Sequence, residues 1–276
     1  MSFPVSFVKM SGTGNDFIVM DHRHPFVPVA EQPDFARKIC RRRFSVGADG
    51  LILIEESVRA DFSWRFYNAD GSVAEMCGNG ARCAARYAHM NGMAGPRMTF
   101  ETLAGIVEAE VLEANGDVRL RLTAPSDFRL GLGIKLAGME RVVHYVNTGV
   151  PHAVVFVEDE VPVREWGREL RFHPMFQPAG TNANFVRLLA GGALQVRTYE
   201  RGVEDETMAC GTGAAAAALI AAALGRTASP VRCITSGGEA LTLGFDLKKE
   251  PAAENVFLQG PARIIYEGKL TAESLL

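Results

Sequence analysis

The chain has 276 residues, of which 47% are hydrophobic and 22% are charged, and its formal net charge at pH 7 is −3. The near-neutral charge excludes an electrostatic footprint for nucleic acid, and no stretch has the uninterrupted apolar length of a membrane span. The first residues lack a secretory signal, and five cysteines, an odd number, argue against a disulfide framework. We therefore expect a cytosolic protein of one large domain or two smaller ones.

The first half of the chain begins with predicted strands on either side of a glycine-rich turn. Residues 3–9 alternate in polarity, and the turn at Gly12-Thr13-Gly14 precedes an apolar run. This turn either only reverses the chain or presents Asn15 to a ligand. Residues 33–43 predict a helix with a solvated basic end at 41–43. Strands are predicted over 51–55 and 61–66, followed by a polar turn that contains Asn68.

The polar turn leads into a cysteine motif, Cys77-Gly78-Asn79-Gly80-Ala81, and a helical stretch follows it. Short strands are predicted over 98–102, 105–112 and 118–123, with Asn115-Gly116 as a hairpin turn. Residues 123–126 predict the crossing into a second domain.

The second half repeats this pattern. Strands are predicted around 141–147 and over 153–157, a helix over 163–171, and a strand over 194–199. The stretch 180–186 resembles 12–18 in its residue pattern. The motif Ala209-Cys210-Gly211-Thr212-Gly213 then precedes an alanine-rich run, and strands over 231–235, 240–245, 256–260 and 262–266 end the chain.

The run 214–224 is composed of alanine, leucine and isoleucine and stops at Gly225. Alanine and leucine are the best helix formers, and glycine favours the residue after a helix end. The lack of charged side chains predicts a helix that is buried on all sides.

A cysteine stands at the start of each of these two helices. The unpaired N–H groups and the positive end of the helix dipole favour a thiolate there, and the same N–H groups can bind a carboxylate. The alternative for Cys210 is a small buried residue before a tight turn, since cysteine is often buried.

The repeat predicts an α+β fold of two pseudo-symmetric domains. Each would be a mixed, mainly antiparallel sheet wrapped around a central helix, with an active site in the cleft between them. Residues 1–124 and the C-terminal segment 262–276 would form one half, and residues 125–261 the other. The Gly-Thr turn and the cysteine motif lie farther apart in the first half than in the second, which predicts extra elements in the first half.

Two thiols on opposite sides of one carbon suit the inversion of a stereocentre, because one removes a proton and the other returns one. The amides of Gly78, Asn79, Gly211 and Thr212 would stabilise the charge that develops on a substrate carboxylate. Cys83 is expected in the core, and Cys40 and Cys233 are expected to be structural. A redox pair is disfavoured because Cys-x-x-Cys is absent. No histidine spacing predicts a metal site, and no lysine lies in a loop suited to a pyridoxal cofactor.

Besides both cysteine motifs, the chain contains Gly12-Thr13-Gly14-Asn15-Asp16-Phe17, Gly47-Ala48-Asp49-Gly50, Pro151-His152, Thr181-Asn182-Ala183-Asn184-Phe185 and Tyr199-Glu200-Arg201-Gly202. Together these motifs resemble those of the diaminopimelate epimerase family, which belongs to the cofactor-independent two-cysteine racemases. The resemblance implies interconversion of LL- and meso-2,6-diaminopimelate on the route to lysine and peptidoglycan. It also implies no metal or organic cofactor, and a homodimer.

The resemblance also assigns roles to individual residues. It makes Cys77 the proton donor and Cys210 the acceptor, with the roles exchanged in the reverse reaction, and His152 and Glu200 would assist catalysis. The implied substrate-binding residues are Asn15, Asn68, Gly78, Asn79, Asn182, Glu200, Arg201, Gly211 and Thr212, and Tyr266 would lie at the dimer interface. Without the resemblance, Glu200-Arg201 is better explained as a solvated pair at a strand end, and His152 as a structural histidine.

The chain departs from the family pattern at Gly50, where many relatives have glutamine, and at Val150, where many have asparagine. Valine cannot donate a side-chain hydrogen bond, so another group such as Asn147 would have to supply the missing contact. One alternative function is a proline or hydroxyproline racemase, although those typically have histidine where Asn79 stands. Another is a thiol redox or small-molecule-binding protein without catalysis.

Overall fold

The structure is a computed structural model that describes residues 2–248 and 252–276, and its chain divides into two compact units. Residues up to 120 and residues 260–276 form the first unit, and residues 121–259 form the second. Among the described residues, no helix has both the length and the apolar character needed to cross a membrane.

The elements of the first unit lie on both sides of the second in sequence. Its strands are β1 (Val5–Gly12), β2 (Asn15–Asp21), β3 (Gly50–Glu55), β4 (Phe62–Asn68), β5 (Arg97–Thr102), β6 (Gly105–Val111), β7 (Val118–Arg121) and β17 (Arg263–Leu270). Its helices are α1 (Gln32–Ile39) and α2 (Gly78–Met90).

The second unit is continuous in sequence. Its strands are β8 (Ser126–Leu136), β9 (Met139–Asn147), β10 (Pro151–Phe156), β11 (Asn182–Leu188), β12 (Leu194–Glu200), β13 (Asp205–Thr207), β14 (Val231–Thr235), β15 (Ala240–Leu247) and β16 (Ala253–Gly260). Its helices are α3 (Val163–Arg171) and α4 (Gly211–Ala223).

Both units have the same strand order. In the first, the order is β17-β1-β2-β3-β4-β5-β6-β7, with parallel pairs at β2–β3 and β4–β5 and antiparallel pairs elsewhere. In the second, the order is β8-β9-β10-β11-β12-β14-β15-β16, with parallel pairs at β10–β11 and β12–β14. The prediction of a repeated, mixed and mainly antiparallel α+β fold is confirmed.

The structure corrects the alignment of the repeat. The turn after Gly12 joins β1 to β2, so its counterpart joins β9 to β10 near Gly149. Asn182 begins β11, which pairs with β10 as β3 pairs with β2. The residue of the first unit that is equivalent to Asn182 is therefore Gly50, at the start of β3. The expectation of extra elements in the first half is therefore wrong. Glycine is common in many kinds of turn, so a short Gly-Thr pattern alone does not identify equivalent turns.

Each sheet packs around one helix made largely of small residues. In α4, every residue from Gly213 to Ala222 is buried, which confirms the expectation of a helix enclosed on all sides. α4 contacts β9, β10, β11, β12, β14 and β15, and α2 contacts β1, β2, β3 and β6. Gly225, two residues after the end of α4, has a φ of 68°. The N–H groups of Gly225 and Arg226 donate to the carbonyls of Ala222 and Ala221, each at 2.9 Å, and close the helix end.

The predicted helix at 33–43 is too long at its C-terminal end. α1 ends at Ile39, and the basic residues 41–43 lie beyond it. Arg42 is not simply solvated, because its guanidinium contacts Asp16 at 2.5 Å and Asp49 at 2.9 Å. These ion pairs hold Arg42 toward the β1–β2 turn and compete with continuation of the helix.

The cluster around Asp16 makes a pH-dependent contribution to stability. Lys9 contacts Asp16 at 2.7 Å. Burial alone would raise the pKa of Asp16, but its contacts with Arg42 and Lys9 lower it from 3.8 to about 2. The lowered pKa stabilises the fold above pH 3.8, and this stabilisation is lost as the pH falls toward about 2.

Asp16→Asn is therefore expected to reduce the free energy of unfolding by about 1–2 kcal/mol at neutral pH, after allowance for the partial exposure of the carboxylate. Chemical denaturation of both proteins at pH 7 and at pH 2.5 measures the difference. We expect the difference to shrink at the acid pH, and a difference that is equal at both values contradicts the assignment.

Candidate active site

Cys77 is the residue before the first turn of α2. Its backbone is extended, with φ −144° and ψ 117°, and its side chain is half-buried. The amides of Gly78, Asn79 and Gly80 form the first turn and have no partner four residues earlier within the helix. The thiol thus lies at the positive end of a helix, as the sequence predicts.

Cys210 has the same position relative to α4. Its φ is −125° and its ψ is 109°, and its Sγ lies 3.5 Å from the Thr212 hydroxyl. The Thr148 hydroxyl donates to the Thr212 carbonyl at 3.1 Å, which fixes the first turn of the helix to the β9–β10 turn. In each unit, therefore, a cysteine precedes the helix at the centre of the sheet.

The other cysteines lie in a different environment. Cys40, Cys83 and Cys233 are buried in the hydrophobic cores. Burial raises the pKa of each of these thiols to about 12. They remain protonated at neutral pH and are unsuited to proton transfer.

A buried arginine lies behind the Cys77 helix start. Arg82 is fully buried, and its guanidinium donates to the Thr13 hydroxyl at 2.6 Å and to Asn79 Oδ1 at 2.9 Å. It also donates to the carbonyls of Gly78 at 3.3 Å and Pro261 at 3.2 Å. All of these acceptors are neutral, so within residues 2–248 and 252–276 no carboxylate pairs with this cation. Burial lowers the pKa of Arg82, but a guanidinium stays charged in proteins.

This arginine determines the orientation of two asparagine side chains. Because Arg82 can only donate, Asn79 presents its oxygen to it and uses its Nδ2 to donate to Asn15 Oδ1 at 2.7 Å. Asn15 then donates through its own Nδ2 to Asp49 Oδ2 at 3.0 Å. This chain of hydrogen bonds begins at Arg82, which can only donate, and ends at the Asp49 carboxylate, which can only accept. Both asparagine amides between them, which belong to predicted substrate-binding residues, are therefore held in a defined orientation.

Asn68 lies at the end of β4, beside the start of β3. Its side chain is exposed and donates to the Ser72 hydroxyl at 3.0 Å. Its partner in register is Gly50, one of the departures from the family pattern. A Cβ at Gly50 would lie 2.6 Å from the Phe66 ring and 2.7 Å from the Tyr67 carbonyl, so the surroundings leave no room for a side chain.

In the second unit, the corresponding strand ends carry His152, Asn182 and Glu200. His152 is fully buried and lies beside Asn182 in register. Asn182 accepts from the Arg201 backbone amide at 2.8 Å and donates to the Pro151 carbonyl at 2.9 Å. The Arg201 guanidinium donates to the Ala179 carbonyl at 3.0 Å. Asn182 thus fixes the backbone at Arg201.

Glu200 ends β12 and accepts a hydrogen bond from the Thr207 hydroxyl at 3.0 Å. Burial raises the pKa of Glu200, and the Thr207 bond partly offsets this effect. A carboxyl group with a raised pKa is a candidate for proton exchange or for binding an ammonium group. The geometry does not support a simple solvated pair of Glu200 and Arg201.

The second departure from the family pattern lies just before β10. Val150 is half-buried and provides no hydrogen-bond donor in its side chain. The Oδ1 of Asn147 accepts from the Gly149 amide at 2.9 Å, which stabilises the β9–β10 turn. The expected contact between Asn147 and the substrate stays a prediction.

Tyr266 lies on β17, far from both cysteines in sequence. Its side chain is 44% exposed, and its ring packs edge to face on Phe7 with 5.9 Å between centroids. β17 pairs only with β1 among the described strands. Its role in a dimer stays a prediction.

Several residues with clear structural roles were not predicted from the sequence. They are Asp49 and Arg82 in the first unit, and Asn184, Thr198 and Thr207 in the second. Arg82 did carry a signal, since it is one of two arginines in a helical stretch rich in alanine. Asn184 carried another, because the alternation of a strand places it on the same face as Asn182.

Comparisons with known proteins agree with this arrangement. The profile of the diaminopimelate epimerase family matches residues 7–126 and 144–265. A diaminopimelate epimerase from Aquifex aeolicus is 46% identical, with 98% of this chain and 99% of that protein covered. One from Hydrogenobaculum is 45% identical, with 96% and 98% covered.

The fold also resembles solved structures at low sequence identity. A PhzF-family phenazine biosynthesis protein from Bacillus anthracis superposes with a TM-score of 0.75 at 16% identity, covering 98% of this chain and all of that one. At this identity the likeness concerns the fold alone. The family profile and the relatives cover nearly the whole sequence, and both cysteine motifs lie within the matched ranges. The chain therefore belongs to the diaminopimelate epimerase family.

Proposed function

We propose that the chain is an isomerase that interconverts LL- and meso-2,6-diaminopimelate, a reaction used in making lysine and peptidoglycan precursors. The observation that carries the proposal is the repeated placement of Cys77 and Cys210. Each precedes the central helix of its unit and has an extended backbone, and the two units share one strand order. We also propose that each unit is one half of the enzyme and that both helix starts serve one substrate.

The proposed reaction is a two-base proton transfer. In one direction, the Cys210 thiolate removes the proton from the α-carbon, and the Cys77 thiol delivers its proton to the opposite face. Cys210 ends as a thiol and Cys77 as a thiolate, so the roles exchange in the reverse direction. No electron is transferred, and the reaction needs no metal ion or organic cofactor.

The main barrier is the weak acidity of a carbon beside a carboxylate, because negative charge moves onto the carboxylate as the proton leaves. We assign stabilisation of this charge to the amides of Gly78 and Asn79 in α2 and of Gly211 and Thr212 in α4. Preorganised N–H groups at helix starts suit a growing negative charge. The buried guanidinium of Arg82 adds positive potential behind the α2 start.

The far end of diaminopimelate is a second amino-acid group, which needs donors for its carboxylate and an acceptor for its ammonium. We assign Arg201 to the carboxylate and Glu200 to the ammonium. Asn15, Asn68 and Asn182 complete the binding set, and the amide orientation of Asn15 is fixed by Asp49. A proline racemase has no use for such a set.

We further propose that the enzyme works in the cytoplasm as a homodimer that includes the face around Tyr266. Tyr266 on β17 is 44% exposed, and Ile265, whose side chain points to the opposite face of the strand, is 54% exposed. Among the described strands β17 pairs with β1, and exposed apolar groups on a strand at the end of a sheet are suited to association with a second chain.

The experiment that tests the function is a turnover assay with purified protein. LL-diaminopimelate and L-proline are incubated separately, and the stereoisomers are resolved by chiral chromatography. We expect meso-diaminopimelate to form and proline to remain unchanged. Racemisation of proline with no reaction of diaminopimelate would select the alternative racemase, and inertness toward both would favour a non-catalytic binding protein.

A further inference from the structure

His152 has one ring nitrogen with a partner and one without. Asn184 Nδ2 lies 3.1 Å from His152 Nδ1. The other ring nitrogen, Nε2, is buried and has no hydrogen-bond partner among the described residues. His152 itself is fully buried, so an unpartnered ring nitrogen is costly unless it serves a ligand or a reacting group.

The surroundings of Asn184 decide which ring nitrogen carries the proton. Asn184 Nδ2 also donates to the Ala153 carbonyl at 2.8 Å, and its Oδ1 accepts from the Thr198 hydroxyl at 2.9 Å. A carbonyl can only accept, so the Ala153 contact identifies the amide nitrogen. The same nitrogen therefore donates to His152 Nδ1, and a neutral ring must then carry its hydrogen on Nε2.

Asn184 is also held firmly against the start of α4. A Cβ added at Gly213 would lie 2.4 Å from Asn184 Oδ1 and 3.0 Å from the Thr198 hydroxyl. Gly213 is therefore needed for this close approach, and the Asn184 amide bridges His152 and the first turn that follows Cys210. Burial lowers the pKa of His152 to about 3, and the nearby Arg201 acts in the same direction.

We propose that Asn184 is a positioning residue that holds His152 as the Nε2–H tautomer, and that this N–H is a neutral donor to a negatively charged group of the reacting complex. His152 thus assists by donating a hydrogen bond from Nε2–H and does not transfer that proton. The role of the donor rests on the proposed epimerase function, whereas the tautomer is a property of the folded chain alone.

The tautomer is tested on the protein without substrate by nitrogen NMR with 15N-labelled histidine. The chain has six histidines, and the signals lost in His152→Gln identify residue 152. At pH 7 we expect a protonated Nε2 and an unprotonated Nδ1. In Asn184→Asp, the carboxylate can only accept, so the proton is expected to move to Nδ1. Thr198→Val is the matched control, because it alters the same network but leaves the amide nitrogen in place, and its tautomer should not change.

Activity separates a donor from a structural residue. In His152→Gln, Asn184 can donate to the glutamine oxygen, which leaves the glutamine NH₂ as a donor near the position of Nε2. His152→Met has a similar length but no donor. We expect the methionine variant to lose about 10²-fold more kcat than the glutamine variant, in line with the loss of one positioned donor.

A protonated Nδ1 in the wild-type protein, or a charged ring at pH 7, would overturn the proposal even if Asn184→Asp fails to fold. Equal kcat values for the glutamine and methionine variants would overturn the donor role. If the wild-type protein converts no diaminopimelate, the proposed function fails, and the NMR result still decides the tautomer.

Discussion

Alanine in place of either Cys77 or Cys210 is expected to lower kcat for LL-diaminopimelate by at least about 10²–10⁴-fold, the usual contribution of one positioned acid or base. The loss should be similar for both variants, because inversion requires proton removal on one face and delivery on the other. Each cysteine precedes its helix and joins it through its backbone carbonyl, which accepts from Ala81 or Ala214. Alanine keeps that carbonyl, so the fold should remain intact. Chiral analysis of the product and thermal unfolding measure the two effects separately.

Cys233→Ala is the control for this experiment. Cys233 is fully buried in the core around α4, and burial raises the pKa of its thiol to about 12. Removing it should lower the melting temperature while leaving kcat largely unchanged. An alanine variant at 77 or 210 that keeps nearly full turnover would refute the pairing of the two thiols.

The second large effect is expected at Arg82. Arg82→Met should lower the free energy of unfolding by about 3–5 kcal/mol, because it leaves buried acceptors without their donor. These acceptors are the Thr13 hydroxyl, the Asn79 side-chain oxygen and the carbonyls of Gly78 and Pro261. The Asn79 and Asn15 amides also lose their fixed orientation, so KM for diaminopimelate should rise in any folded fraction.

Arg86→Met on the same helix provides the comparison. Arg86 is half-buried and donates to the Ala262 carbonyl, but it does not contact Asn79 in the described hydrogen-bond network. We expect its loss of stability to be smaller and its KM to change little. If both variants lose the same stability and show the same KM, the conclusion that the buried Arg82 guanidinium orients Asn79 and Asn15 is wrong. Urea denaturation and steady-state kinetics provide both values.

The central features of the fold could be predicted from composition. The alanine run predicted a helix enclosed by a sheet, and every residue of α4 from Gly213 to Ala222 is buried. β8 was missed because glycines at 131 and 133 interrupt its alternation, and the strand tolerates them through irregular register with β9. The end of α1 was misplaced because the ion pairs of Arg42 with Asp16 and Asp49 join segments that are separate in sequence.

The candidate site could be predicted only in part. The cysteine motifs identify two helix starts, because glycine and alanine after a cysteine carry local structural information. The function of Arg82 depends on its burial and on Thr13, and that of Asn184 depends on His152 and Thr198. These partners lie on other strands and turns, so neither periodicity nor motif spacing reveals them. The tautomer of His152 in particular follows from the hydrogen bond between Asn184 and the backbone carbonyl of Ala153. Every residue has a backbone carbonyl, so no sequence pattern distinguishes this one.

The central claim is that two different thiols act on opposite faces of the same carbon. The most direct test follows deuterium at early times during conversion of LL-diaminopimelate in heavy water. The thiol that delivers the proton has exchanged with solvent, whereas the thiol that removes it carries protium from the substrate. We therefore predict that the meso product contains deuterium at its inverted α-carbon and that recovered LL-diaminopimelate contains almost none. Meso product that retains the substrate's own protium would show that a single group moves the proton, and would contradict the account.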